Sequence, residues 1–337
     1  MRALTLKTAD GLDSVTLDTV DKPDPAKGQV RVALKAASLN HRELWIAVGG
    51  YPGMSLPTTL GADGAGIIEA VGEGVDAGRI GEEVVLYPGL EWGADEAFPA
   101  ADFGLLGMPG PGTIADAICV DANAVVLKPA HLDFVQAAAV PLAALTAWRG
   151  LTTKGGIKTG DKVLLTGIGG GVATFALIFA KAMGAKVYVT SGNDETLVAA
   201  EQLGADGGVN YKEEKWGKQL GKMSGGIDLV FDGAPAGSYA NYGRVLNMGA
   251  RVVVYGSTGG FSFPVNAPEL FLKNVQIIGT NVGNLSEFKA MMAFVAEKKL
   301  EPVIDRSFSI DDAKVALNYL KDSHNFGKVV INIEVTA

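Results

Sequence analysis

At 337 residues the chain is too long for one ordinary hydrophobic core, and two domains are the natural expectation. Hydrophobic content of 48% with 20% charged residues is that of a soluble globular protein, and the formal net charge of −8 argues against a broad nucleic-acid surface, which needs clustered Lys and Arg. No window holds the roughly eighteen apolar residues of a membrane span, and a single cysteine, Cys119, excludes an internal disulfide and a cysteine-rich zinc site. The first residues read as a strand and not as a secretory leader, so a cytoplasmic protein is expected.

Residues 1 to 125 are β-rich in pattern. Gln29 to Ala36 alternates polar and apolar residues as a half-buried strand does, and Gly66–Gly72 and Glu83–Tyr87 are short β-branched runs. Pro23, Pro25, Pro52, Pro57 and many glycines punctuate them as in a small barrel with long loops. Residues 88–112, rich in Gly, Pro and Ala, read as one extended loop over a site or an interface. Asp133 is placed to cap a helix through Val135–Val140 that Pro141 interrupts, and a second helical stretch runs from Ala143 to Leu151.

The chain then reaches its most informative segment. The apolar run Val163–Leu165 stops at a cluster containing Gly167, Gly169, Gly170 and Gly171, and an apolar helical pattern follows from Val172 to Met183. Strand, glycine turn and helix in that order form the context of a dinucleotide-binding turn, in which glycines admit a pyrophosphate and the helix start offers free N–H groups. Aligned on the helix start, the three glycine positions of the motif are Ile168, Gly170 and Ala173, so the fingerprint is incomplete. Beyond it, strands are predicted at 163–166, 186–190, 208–210, 228–231, 251–255 and 275–279. Helices are predicted at 172–183, 194–203, 213–223, 236–247, 267–273 and 284–299. This alternation implies an α/β fold with a parallel sheet covered on both faces. The closing strand, Lys328–Ile333, is expected to return to the N-terminal barrel.

Five segments, in order and spanning almost the whole chain, resemble the medium-chain dehydrogenase/reductase superfamily, in particular its zinc-free quinone-oxidoreductase-like branch. They are Ser38–Leu44, Leu60–Gly66, Ala143–Trp148, the turn at 167–173, and Phe326–Val330. The resemblance implies a GroES-like β-barrel catalytic domain, a Rossmann doubly wound parallel-sheet domain and an active site in the cleft between them. The expected boundaries are 1–125 with 266–337 for the catalytic domain and 126–265 for the dinucleotide-binding domain. A homodimer, formed by continuing the Rossmann sheet across the strand at 275–279, is implied as well.

Zinc alcohol dehydrogenases of the superfamily carry a ligand Cys where this chain has Asn40, a ligand His where it has Ala62, and a further Cys near Pro141–Ala143, where it has none. His41 and Asp63 supply at most an incomplete donor set, so no zinc is expected. The strand ending at Ser191-Gly192 lacks the carboxylate that an NAD enzyme places on the ribose 2′-hydroxyl about twenty residues after the glycine turn. NADPH is therefore expected, with weak discrimination against NADH, because Thr196 and Ser323 stand where some relatives hold the 2′-phosphate with Lys and Arg. Asn193, Asp194 and Glu195 read as a cap and first turn, and Tyr211, retained in Asn210-Tyr211, has Lys212 beside it.

Without a metal, a quinone or an α,β-unsaturated carbonyl is the suitable hydride acceptor, because conjugation spreads the developing charge and one or two hydrogen-bond donors suffice. The resemblance implies Asn40, Trp45 and Tyr51 on the substrate side, with Asn40 and Tyr51 as donors. Trp45 and Tyr51 read equally well as loop anchors burying apolar surface. For the cofactor it implies Thr146, Gly169, Gly170, Gly171, Val172, Ala173, Ser191, Gly192, Tyr211, Gly256, Ser257, Thr280 and Asn281. His41 reads more readily as a local hydrogen-bonding residue than as an acid, and Cys119 as a small buried strand residue.

Overall fold

The computed structural model describes residues 1–322 and 325–333, so Ser323 lies outside the described residues. Its first strand, β1 (Arg2–Leu6), pairs antiparallel with β2 (Val15–Thr19). The alternating segment is β3 (Gln29–Ser38), whose Val30, Val32, Leu34 and Ala36 point inward as its period of two requires. It leads into α1 (His41–Ala47) and β4 (Thr58–Thr59), then β5 (Asp63–Val71), which lies antiparallel on β3. At Gly66 a Cβ would stand 2.1 Å from the Ala33 carbonyl oxygen, so only glycine lets β3 and β5 approach this closely beside their register shift.

The strands β6 (Glu83–Leu86), β7 (Gly89–Leu90), β8 (Gly104–Leu105), β9 (Ala117–Asp121) and β10 (Val125–Leu127) follow. The segment 88–112 is not the unstructured loop its composition suggested. β7 and β8 pair, Trp92 meets Phe103 edge-on with centroids 5.0 Å apart, and the Trp92 carbonyl accepts from Ala100 N. Aromatic burial, invisible to a Gly/Pro count, orders the segment. Next comes α2 (Phe134–Ala139), capped by Asp133 as expected: Asp133 Oδ1 accepts from Gln136 N at 2.7 Å while Gln136 Oε1 accepts from Asp133 N at 3.0 Å. Pro141 begins α3 (Pro141–Arg149), a position where its missing N–H would have had no partner.

The second half alternates as predicted. β11 (Lys162–Leu165), α4 (Gly171–Ala182), β12 (Lys186–Ser191), α5 (Asp194–Gln202), β13 (Gly207–Asn210) and α6 (Trp216–Ser224) come first. β14 (Ile227–Asp232), α7 (Pro235–Tyr242), β15 (Leu246–Val254), α8 (Ala267–Lys273) and β16 (Gln276–Gly279) complete it. The strands form one parallel sheet in the order β13-β12-β11-β14-β15-β16, so the winding reverses between β11 and β14. The helix predicted over 236–247 stops at Tyr242. Its last residues turn through Gly243–Val245 into β15, where Asn247 Nδ2 donates to Asp228 Oδ1 at 2.7 Å and ties the strand start to β14.

The chain closes with α9 (Leu285–Lys298), β17 (Ile304–Ser309), α10 (Ala313–Lys321) and β18 (Lys328–Asn332). β18 pairs antiparallel with β3 and parallel with β17, the expected return to the barrel. β17 and α10 were not predicted, although α10 buries Ala313, Ala316, Leu317 and Leu320 at helical spacing. The chain separates into two units, Met1–Ala143 with the segment from Gly283 onward, and Ala144–Val282. The expected boundaries at 125/126 and 265/266 therefore move to 143/144 and 282/283. α2 packs on β3 and β5 and so belongs with the barrel, while β16 is a member of the parallel sheet. Among the described residues no helix is long and apolar enough to cross a membrane.

Candidate functional site

In the second unit, the strand ends around the winding reversal border a cavity of about 400 Å³. Its lining includes Thr166 and Gly167 after β11, Thr190 on β12, Tyr211 after β13, Gly233 and Ala234 after β14, and Tyr255, Thr258 and Gly259 after β15. The crevice outside the carboxyl ends of parallel strands is where open α/β sheets bind nucleotides. Gly167 adopts φ 64°, which a side chain would disfavour, and donates its N–H to Thr190 Oγ1 at 3.0 Å; Ile168 N donates to the Thr190 carbonyl at 2.8 Å. These bonds pin the glycine turn to β12. The bond from Thr174 N to the Gly170 carbonyl opens α4, so the N–H groups of Gly171, Val172 and Ala173 precede the helical ladder. A Cβ on Gly170 would meet nothing within 4 Å, which leaves that approach open to an anion.

At the end of β12, Ser191 Oγ accepts from Asn193 N, and Asn193 Oδ1 caps α5 by accepting from Glu195 N at 2.7 Å. Asp194 is held in the first turn, where its Oδ1 accepts from Asn210 Nδ2 at 2.7 Å. A Cβ on Gly192 would fall 2.6 Å from Tyr211 Oη and 3.0 Å from Lys212 Cε, so Tyr211 and Lys212 both lie over this glycine. The structure thus brings Ser191, Gly192 and Tyr211 together. Gly256 and Ser257 sit between the lining residues Tyr255 and Thr258, and Thr280 N donates to the Val254 carbonyl beside them, with Asn281 exposed next to it. Thr146 is buried on α3 and does not line this cavity.

The predictions missed Asp232, the last residue of β14 and completely buried. Its carboxylate accepts from Thr166 Oγ1 and Ser238 Oγ at 2.5 Å each, and from Ala234 N and Tyr242 Oη at 2.8 Å each. It therefore fixes the turn Gly233-Ala234 and the hydroxyls of Thr166 and Ser238, all on the cavity wall. Burial, with the Asp232 charge added, pushes the phenols of Tyr242 and Tyr255 well above their ordinary range. A carboxylate ending an apolar strand just before Gly-Ala-Pro was the available signal.

The first unit holds a second polar cluster, made where β3, β5 and β18 run side by side. Ser38 is registered against Asp63 on one side and Val330 on the other, which brings Lys328 level with Asn40 at the start of α1. Asp63 Oδ2 accepts from Ser38 Oγ at 2.8 Å, Asn40 Nδ2 at 2.9 Å and Lys328 Nζ at 3.0 Å, and Asp63 Oδ1 accepts from Leu142 N at 2.8 Å. Lys328 Nζ also donates to Asn40 Oδ1 at 2.7 Å. Ser38 and Asp63 are completely buried, Lys328 is 3% exposed, and Asn40 is half-buried. The segments that carry zinc ligands in zinc-dependent relatives, around Asn40, Ala62 and Pro141–Ala143, thus meet in space. At their meeting point a lysine ammonium and a backbone N–H already take the Asp63 carboxylate. Among the described residues no group of three or more His, Cys, Asp or Glu is placed to hold a metal ion. This donor set does not fit zinc.

Beside the cluster, Glu43 Oε2 accepts from Asn40 N at 2.6 Å, and Arg42 Nη1 donates to Glu43 Oε1 at 3.3 Å and to the Leu106 carbonyl at 2.8 Å. Burial raises the Glu43 carboxyl above its usual value, against the opposing pull of Arg42. The Arg42 guanidinium lies 4.9 Å from the Tyr51 ring centroid, and its Nε donates to Tyr51 Oη at 3.4 Å. Tyr51 also packs on the barrel core, so it anchors its loop while its own O–H remains a donor. Trp45 is 56% exposed on α1.

Comparison with known proteins agrees with this architecture. Residues 26–130 match the family described as alcohol dehydrogenase GroES-like domain, and residues 171–297 match zinc-binding dehydrogenase. The zinc-type alcohol dehydrogenase-like protein YogA of Leptosphaeria maculans is 38% identical, the alignment covering 94% of each chain. The quinone oxidoreductase of Rattus norvegicus is 29% identical, over 98% of this chain and 97% of that one. A crystal structure of an NAD-dependent alcohol dehydrogenase superposes with a TM-score of 0.93 at 34% identity, covering 99% of this chain and 100% of that one. With its GroES-like barrel and its doubly wound dinucleotide sheet, the chain belongs to the medium-chain dehydrogenase/reductase superfamily and is an oxidoreductase.

Proposed function

We propose that the protein is a zinc-independent, NADPH-dependent reductase of quinones or α,β-unsaturated carbonyls, working as a cytoplasmic homodimer on small-molecule substrates. The observation that carries this reading is the cluster of Asn40, Asp63 and Lys328, where an internal ammonium neutralises the carboxylate a metal would need. Lacking a Lewis acid, such a site favours acceptors whose conjugation spreads charge and which need only hydrogen-bond donors. When bound, the nicotinamide supplies the hydride, and a solvent proton completes the reduction.

The residues of the second unit would hold the cofactor: the α4 start and the Gly170 approach its pyrophosphate, and Ser191, Gly192 and Tyr211 its ribose. Lys212, lying over Gly192, supplies the cation that Thr196 does not, which favours NADPH. Asn40 donates an amide N–H to the substrate oxygen, and Tyr51 its hydroxyl. The exposed side chains Phe261, Phe271 and Leu272 precede the edge strand β16, and their apolar surface supports a dimer formed along that edge. Sedimentation of only a 34.9 kDa species at micromolar concentration would end the dimer reading.

The deciding experiment is a panel of quinones, enones, aldehydes and alcohols assayed with NADPH and NADH side by side, before and after chelator treatment, with metal analysis. Chelator-resistant quinone or enone reduction driven by NADPH is expected. The second reading, a zinc-dependent alcohol dehydrogenase, follows the name of the 38% identical relative. Stoichiometric zinc required for alcohol oxidation would establish it.

A further inference from the structure

Asn40 is held in one orientation by two partners whose chemistry leaves no choice. The Asp63 carboxylate only accepts, and it takes Asn40 Nδ2; the Lys328 ammonium only donates, and it gives to Asn40 Oδ1. A turned amide would set its NH₂ against the ammonium and its oxygen against the carboxylate. One Nδ2 hydrogen is therefore committed to Asp63, and the second is left for another acceptor. Ser38, Asp63 and Lys328 are buried, whereas Asn40 is half-buried, so its amide is where the cluster reaches the surface. The bond from Lys328 to Oδ1 also draws electron density across the amide, which strengthens the free N–H as a donor.

We infer that Lys328 is a positioning residue of the reduction: it fixes the Asn40 amide in its donor orientation and polarises it toward negative charge on the substrate oxygen. A cation carried by β18 thus acts at one remove on the reacting carbonyl. The inference rests on the reading of Asn40 as substrate donor, and its experiment separates the two.

The test is a double-mutant cycle of Asn40→Ala and Lys328→Met, with Lys328→Arg as the conservative variant, measured on whichever carbonyl compound the wild type reduces best. Asn40→Ala is expected to lower kcat by about 100-fold and Lys328→Met by about 10-fold, with KM changed by less than about twofold. Lys328→Arg restores most of kcat. In the Asn40→Ala background Lys328→Met costs nothing further, because the group it acts through is gone. If Lys328→Met yields too little folded protein, the whole cycle is run in an Asp63→Asn background, which removes the unpaired buried charge from every protein compared and leaves Lys328 as the difference read. Additive losses, an effect on KM alone or an unchanged kcat overturn the inference. Full turnover by Asn40→Ala removes the donor role and this inference with it. A wild type that reduces aldehydes but no quinone or enone ends the substrate reading alone and leaves the cycle informative.

Discussion

Removing the Asp232 carboxylate should loosen the dinucleotide unit from inside. The side chain has no exposed surface and accepts from Thr166, Ala234, Ser238 and Tyr242. In Asp232→Ala, Ser238 keeps the Ala234 carbonyl at 3.0 Å as an acceptor, and Ala234 N is near enough to the surface to find water. The Tyr242 hydroxyl is stranded among buried neighbours, whereas the Thr166 hydroxyl, on the cavity wall, exchanges a charged acceptor for water. The stranded phenol costs about 1–3 kcal/mol and the lost charge-assisted bond of Thr166 adds to it, while relief from burying a charge returns part, so a net loss of about 3 kcal/mol is expected. Asp232→Asn keeps the shape and one acceptor oxygen and should lose only about 1 kcal/mol. Denaturant unfolding of the three proteins measures this directly, and the alanine variant should melt roughly 6–12 °C lower. A loss below about 1 kcal/mol, or equal losses for Ala and Asn, would refute the reasoning, because it rests on donors that need this acceptor.

Lys212→Ala is expected to raise the KM for NADPH about tenfold and leave that for NADH unchanged, since a charge-assisted bond to a phosphate is worth about 1.5–3 kcal/mol; equal changes for both cofactors would remove Lys212 from the 2′ position. Gly66→Ala drives a Cβ to 2.1 Å from the Ala33 carbonyl oxygen, so β3 and β5 must separate, and a Tm at or near the wild-type value would contradict that close approach. The His41 imidazole, on a residue that keeps an exposed surface, is held below its ordinary pKa by partial desolvation and then by the Lys328 charge, an effect that solvent screening keeps small. Between the ordinary and the depressed value the unfolded chain binds a proton that the folded chain does not. Stability should therefore fall as pH drops through that window and level off below it, and His41→Asn should abolish the effect in pH-dependent unfolding. A ring that titrates by NMR above the ordinary imidazole range would reverse the sign.

Much of the second unit was legible because its signals are local. A strand such as 163–165 is a continuous apolar run, and the turn at 167–171 needs glycine for its own backbone, so neither depends on distant contacts. Helix 267–273 was placed to the residue for the same reason. The domain boundaries were misplaced because membership is a matter of packing. The strand at 275–279 was expected at the edge of the parallel sheet, and β16 pairs there with β15, but the boundary drawn at 265/266 left it in the other domain. The segment 88–112 reads as a loop by composition and is ordered by Trp92 against Phe103 and by Asn284 Nδ2 donating to the Glu96 carbonyl, a contact 188 residues apart.

The sequence by itself determined the alternation of strand and helix, the glycine turn, and the residues standing at zinc-ligand positions, since each is written in neighbouring residues. Only the tertiary structure decided what occupies those positions together. Lys328 and Asn40 are 288 residues apart, and nothing local in either segment says that an ammonium will lie 2.7 Å from an amide oxygen. The register of β18 on β3 and of β3 on β5 sets that distance. Strand register is a property of the whole sheet, fixed by which faces must be buried, and it turns an asparagine, an aspartate and a lysine into one cluster.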